Sequence, residues 1–225
     1  MSSRSSSRSR SWWRDGAVLR VDSALRAVVA SIVAALVLGA CGGSTPKIAK
    51  LDRGAVVLAF GDSLTFGTGA AREQSYPAIL GRDTGLQVVN AGVPGEVSAD
   101  GLARLPEAIE ESQPKLLILC HGGNDFLLKM DEATAAANIR AMIELAKSRG
   151  IPVVLLATPK PGIPPSVPRF YGEIAARAGI PLEGDVMKSV LLDSSLKSDL
   201  VHPNGNGYGA IAAAVAKLLK KSGAI

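Results

Sequence analysis

A doubly wound α/β sandwich, with a parallel sheet of about five strands between two layers of helices, is the fold class this sequence predicts. Three observations carry the prediction. The runs 55–60, 86–90, 115–120 and 152–157 are short and largely continuous in apolar character, as strands are when both faces of a parallel sheet are covered. Between them stand longer stretches whose apolar residues recur at helical spacing. Strand and helix therefore alternate along the chain, an order that places ligand sites at the carboxyl ends of the strands.

Residues 1–40 precede that pattern. They hold six arginines and two aspartates, and the uncharged run 27–38 is short for a bilayer span but suits a signal-peptide apolar region behind a basic start. Leu38-Gly39-Ala40-Cys41 and the Gly/Ser/Pro stretch after it look like a bacterial lipoprotein cleavage box. That resemblance implies removal of 1–40, a lipid on Cys41 as the membrane partner, a linker over 41–54, and an extracytoplasmic protein of the cell envelope. An uncleaved membrane anchor and a chance cysteine are the alternatives. The formal charge of +5 belongs mostly to this leader, because residues 41–225 carry 19 basic against 18 acidic side chains. The basic balance is therefore no sign of a nucleic-acid partner. A single domain over 55–225 is long enough to bury a sizeable core.

Within that domain the elements follow in order. After the strand at 55–60, Gly61 and Gly67 permit a tight strand-to-helix corner that holds Ser63. A helix is expected near 75–83, a strand at 86–90, and a helical stretch over 98–112 that Pro106 kinks or splits in two. The strand at 115–120 leads to a helix over 131–149, whose stripe Ile139, Met142, Ile143 and Ala146 faces the core and which Gly150 closes. Five prolines crowd 159–168 directly after the fourth strand, a candidate wall of the site or a stiff surface loop. A helix at 170–178, a short strand at 180–182, a helical stretch at 185–192 and a last helix over 205–221 complete the pattern. Tyr208, Ile211, Ala212, Val215, Leu218 and Leu219 give that last helix an apolar core face.

Four polar stretches fall at strand ends or before the last helix, where this topology puts a site. They are Gly61-Asp62-Ser63, Asn90 to Glu96, His121-Gly122-Gly123-Asn124-Asp125 and Asp199-Leu200-Val201-His202-Pro203. Each alone is an ordinary turn sequence. In this order and spacing they resemble the four blocks of the SGNH (GDSL-type) hydrolase superfamily, and within it the group of small acyl-CoA thioesterases, lysophospholipases and arylesterases. The resemblance spans about residues 55–219 and implies a flavodoxin-like three-layer fold. It also implies that Ser63 is the nucleophile, His202 the general base and Asp199 the carboxylate that orients it. The same likeness assigns the oxyanion hole to the N–H groups of Ser63 and Gly95 and the side-chain amide of Asn124.

The residue types suit those roles. A serine hydroxyl needs a neutral imidazole to take its proton, a carboxylate holds that imidazole in one tautomer, and fixed donors stabilise the tetrahedral oxyanion. Glycine at 95 would let the backbone approach closely. Phe126, Leu127 and Leu128 follow the Asn124 block and are expected either to wall an acyl chain or to pack in the core. His121 is the rival base; with no carboxylate seen to follow it, a structural role is expected. Asp62 and Asp125 read as turn and cap residues, and Cys120 as a small buried apolar group.

No zinc-ligand spacing, phosphate-loop ending or Gly-x-Ser-x-Gly elbow is present, since position 65 is threonine. The expected protein is a serine esterase that hydrolyses small acyl esters or thioesters without a cofactor. The alternatives are an envelope carbohydrate O-acetylesterase, against which the lack of tryptophan after residue 40 weighs, and a non-catalytic envelope lipoprotein on the same fold.

Overall fold

The computed structural model of the protein describes residues 45–225, so the leader and Cys41 lie outside the described residues. Five parallel strands form one sheet in the order β2-β1-β3-β4-β5. They are β1 (Val56–Gly61), β2 (Gln87–Gly92), β3 (Leu116–Cys120), β4 (Val153–Leu156) and β5 (Leu182–Glu183). The helices are α1 (Ser63–Phe66), α2 (Tyr76–Thr84), α3 (Ser98–Ser112), α4 (Gly123–Leu127) and α5 (Glu132–Ser148), then α6 (Phe170–Ala178), α7 (Val186–Leu192) and α8 (Gly205–Ser222). Strand order reverses between β1 and β3, and that switch point opens a crevice at the carboxyl ends.

The central strands are buried on both faces, which is why their apolar runs do not alternate. Side chains of alternate residues nonetheless part to two cores. Val57, Ala59, Leu116 and Ile118 meet Tyr76, Leu80, Tyr208, Ile211 and Val215 of α2 and α8. Leu58, Phe60, Leu117 and Leu119 meet Leu105, Ile109, Ile139, Met142 and Tyr171 of α3, α5 and α6. The strand β2 departs from this pattern: as an edge strand it is only half-buried, which explains Gln87 and Asn90 within it.

One expectation is narrowed and one corrected. Of the two readings of 98–112, kinked or split at Pro106, the structure keeps one continuous helix; Leu105 and Ile109, both buried against the sheet, hold it together across the missing N–H. The fifth strand starts at Leu182 instead of 180, because Ile180 closes α6 through the Ala175 carbonyl at 3.1 Å and the ladder begins where Leu155 N–H donates to the Pro181 carbonyl at 3.0 Å.

Loop chemistry fixes the ends. Asp62, Asp131 and Asn204 cap α1, α5 and α8 by accepting N–H bonds from Leu64, Thr134 and Gly207. The described chain enters at the amino end of the sheet, where Ile48 and Leu51 N–H groups donate to the Ser222 and Ala224 carbonyls at the far end of α8.

Candidate active site

The corner after β1 is built on close approach. A side chain at Gly61 would collide with the Cys120 carbonyl and the Thr65 hydroxyl, so only glycine lets β1 turn there against β3. Asp62, next in the chain, is buried, and its Oδ1 accepts the Leu64 N–H at 3.0 Å. Burial pushes the Asp62 carboxyl above its ordinary pKa, against the pull of His121 and His202. This cap opens α1 at Ser63 and presents the serine hydroxyl to the crevice.

The Asp199–His202 turn comes to meet it. His202 Nε2 stands 3.1 Å from Ser63 Oγ, and His202 Nδ1 stands 2.8 Å from Asp199 Oδ2. The other oxygen, Oδ1, accepts the N–H groups of Val201 and His202, both at 2.8 Å. Burial raises the Asp199 pKa, but these N–H bonds and the imidazole outweigh it and hold the carboxyl below its ordinary range. Asp199 is therefore an anion at neutral pH. An acceptor-only carboxylate requires the proton on Nδ1, which leaves Nε2 free to accept from the serine hydroxyl. Hydroxyl, imidazole and carboxylate in this line can pass a proton from Oγ to Nε2 as the oxygen attacks an electrophile.

Asn124 lies in the first turn of α4 beside this line. Its Nδ2 donates at 2.9 Å to the carbonyl of Glu96, so it is tied to the β2–α3 loop that contains Gly95. Gly95 has φ +81° with open space around the position of a Cβ. The reason for glycine there is the left-handed backbone and not a tight approach. Asp125 accepts the Ser98 N–H and hydroxyl at 2.9 and 2.6 Å, a loop-holding role as its sequence context suggests.

His121 is fully buried and points away from this line, with Nε2 3.0 Å from Glu96 Oε2. A carboxylate does partner it, but one that precedes it in the chain. Burial and the charge on Asp62 push the Cys120 thiol up to about 12, so it carries no thiolate for chemistry at neutral pH.

A cavity of about 710 Å³ opens above Ser63. Ser63, Asn124 and His202 line it, Asp199 sits behind His202, and Gly95 is not on its wall. Of the three apolar residues after Asn124, only Leu127 lines the cavity. Phe126 is buried in the α5–α6 core and Leu128 is exposed outside the wall. The proline-rich loop supplies one side through Pro159, Ile163, Pro164 and Pro165, and Leu191, Leu192, Leu200 and Val201 supply the other. That second side went unread in the sequence. Its one signal was Leu200, an apolar residue inside a turn that is otherwise polar. Among the described residues no group of three or more His, Cys, Asp or Glu side chains gathers to hold a metal ion, and none of the described helices is long and apolar enough to cross a membrane.

This sheet order and crevice define a protein class, and the sequence places the chain within it. Residues 59–210 match the GDSL-like Lipase/Acylhydrolase family, to which the chain belongs. Among its relatives is Esterase TesA of Pseudomonas aeruginosa, 33% identical over 160 residues that cover 65% of this chain and 79% of that protein. Thioesterase 1/protease 1/lysophospholipase L1 of Escherichia coli K12 is 29% identical over 175 residues, 73% of this chain and 83% of that one. A crystal structure of TesA superposes with a TM-score of 0.66 at 31% identity, covering 73% of this chain and 98% of the other.

Proposed function

We propose that the protein is a serine esterase that hydrolyses carboxylic esters or thioesters through an acyl-enzyme on Ser63. The observation that carries the reading is the hydrogen-bonded line from Ser63 Oγ through His202 to Asp199 Oδ2 at 3.1 and 2.8 Å. In the first half-reaction Ser63 Oγ attacks the acyl carbon while His202 Nε2 takes the hydroxyl proton. The imidazolium then gives that proton to the departing alkoxide or thiolate. In the second half a water loses a proton to Nε2, attacks the acyl-enzyme, and the acid leaves as Oγ regains its proton. The N–H groups of Ser63 and Gly95 and the Asn124 amide are the proposed donors to the oxyanion in both halves.

The apolar walls from Leu127, Ile163, Leu192 and Leu200 favour an acyl chain over a sugar in the cavity. The family and its esterase-named relatives support an ester hydrolase, and the thioester branch of the reading rests on the name of the second relative. Tethering through a lipid on Cys41 is part of the same proposal. A C41S chain is expected to leave the membrane fraction; unchanged membrane fractionation removes the tether from the reading.

The test is hydrolysis of a chromogenic short-chain ester by wild type and S63A, with a fluorophosphonate probe to tag the nucleophile. Serine catalysis is expected to fall by about 10⁴-fold or more in S63A, which also loses the tag. Equal rates in the two proteins exclude the mechanism, and a wild type with neither turnover nor tag is a binding module on a hydrolase fold.

A further inference from the structure

Beside the Ser63 cavity lies a buried polar cluster for which the proposed reaction has no use. His121 joins β3 to Gly122 and is fully buried. Its Nε2–H donates to Glu96 Oε2 at 3.0 Å, while Nδ1 is buried with no hydrogen-bond partner. The fold makes room for this ring. A Cβ at Gly101 of α3 would stand 2.8 Å from its Cε1 and 3.1 Å from its Cδ2, and the Phe60 ring packs on it with centroids 5.6 Å apart. A leucine would fill such a space without stranding a polar nitrogen in the interior. What the imidazole does that an apolar side chain could not do is hold Glu96.

Glu96 is the point where the β2–α3 loop is fastened. Arg104 Nε and Nη2 each donate to its carboxylate at 2.7 Å, and Arg104 is itself placed over the Phe60 ring at 4.2 Å and against the Ala91 carbonyl at 3.1 Å. Burial raises the Glu96 pKa, but bonds from Arg104 and His121 outweigh it and bring the carboxyl down to about 2. Arg104 belongs to α3, the helix this loop runs into, and its contacts with Phe60 and Ala91 tie Glu96 to β1 and β2 but not to β3, which carries the Asn124 block. His121 makes that tie, from the end of β3. Its own carbonyl is pinned by Tyr171 Oη at 2.6 Å. Three residues on, Asn124 holds the backbone carbonyl of the same Glu96 at 2.9 Å.

We infer that His121 is a positioning residue for the oxyanion hole. It fastens the Glu96 side chain to the end of β3, and so sets the distance between two donors from separate loops, the Gly95 N–H and the Asn124 amide. The inference rests on the oxyanion roles proposed above. The Nε2–H bond that carries it exists in both neutral and protonated imidazole, so the device does not depend on the charge of His121.

The experiment uses the whole chain, with kcat and KM on a short-chain chromogenic ester and inhibition by an alkyl trifluoromethyl ketone. The ketone forms a tetrahedral adduct on Ser63 whose oxyanion reports on the hole directly. In H121L, kcat is expected to fall about tenfold or more, as misplaced donors do, with KM within about twofold and ketone affinity reduced by the same factor as kcat. In H121Q the side-chain amide reaches the same carboxylate and is expected to return both to within about threefold of wild type. H121N is too short to reach and is expected to behave as H121L, which also serves if H121L folds poorly. Wild-type kcat and ketone affinity in H121L or H121N overturn the inference whatever their melting temperatures, as does an equal fall in H121Q. A wild type without Ser63-dependent turnover overturns the proposed function and this inference together, whereas Ser63-dependent turnover indifferent to position 121 overturns this inference alone.

Discussion

The two ends of the sheet are built by opposite rules. At the amino ends of the strands the chain enters, the connections are short, and apolar residues such as Leu86, Ile109 and Ile151 are buried beneath them. At the carboxyl ends the loops bury charge and expose apolar surface. Asp62, Glu96, His121 and Asp125 are all buried there, and exposed large hydrophobic residues, Ile163 and Leu200 foremost, lie in the loops around the cavity mouth. Buried charge and exposed apolar surface both work against stability. Their concentration at one end matches the site proposed there, while the apolar packing at the other end supplies stability.

The largest expected effect breaks the comparison by chemistry alone. In D199N the two backbone N–H groups that Oδ1 accepts hold the amide oxygen, which turns the NH2 toward Nδ1 and favours the wrong tautomer, so kcat on a chromogenic ester should fall on the order of 10³–10⁴-fold. The denaturant midpoint should move little, because Asp199 is largely exposed. A matched loss of stability and rate would remove the distinction between the ends.

The converse substitution is I151A under the amino end. It should cost about 2 kcal/mol of unfolding free energy, at the low end for buried apolar truncations, as read from urea unfolding. At a temperature where it is folded, its kcat should equal that of wild type.

The smallest effect separates the buried carboxyls by sign. Glu96 has a folded pKa of about 2 against an ordinary 4.5. Its contribution to stability is therefore present above pH 4.5 and is lost as pH falls from there through 2. Asp62 is raised, so its contribution runs the other way: present below its ordinary 3.8 and lost as pH rises through its folded value. Unfolding titrations of E96Q should consequently show a shallower loss of stability than wild type between about pH 4.5 and pH 2. An identical slope would mean that Arg104 and His121 do not hold Glu96 ionised.

Much of this molecule could be read from local pattern. Apolar runs located β1, β3 and β4 to within a residue or two, because a strand covered on both faces has no reason to alternate. The stripe from Tyr208 to Leu219 placed α8 and its core face, because helical periodicity is a property of neighbouring residues. The blocks around Ser63, Asn124 and His202 were legible as a set through their resemblance to the ordered SGNH blocks, since each alone is an ordinary turn sequence.

What the sequence could not decide concerns direction and distance. Phe126, Leu127 and Leu128 are adjacent, yet one is core, one is cavity wall and one is exposed, since successive residues on a helical turn point about 100° apart. Glu96 and His121 are 25 positions apart, and nothing local says that they touch. The wall opposite the proline-rich loop, from Leu191 to Val201, exists only because β5 and α8 bring two distant segments to one mouth. Element type and core face followed from the order of residues, because backbone propensity and hydrophobic period act over a few positions. Which polar groups meet, and which apolar side chains border the cavity, was settled by the sheet order, which joins loops that the chain keeps far apart.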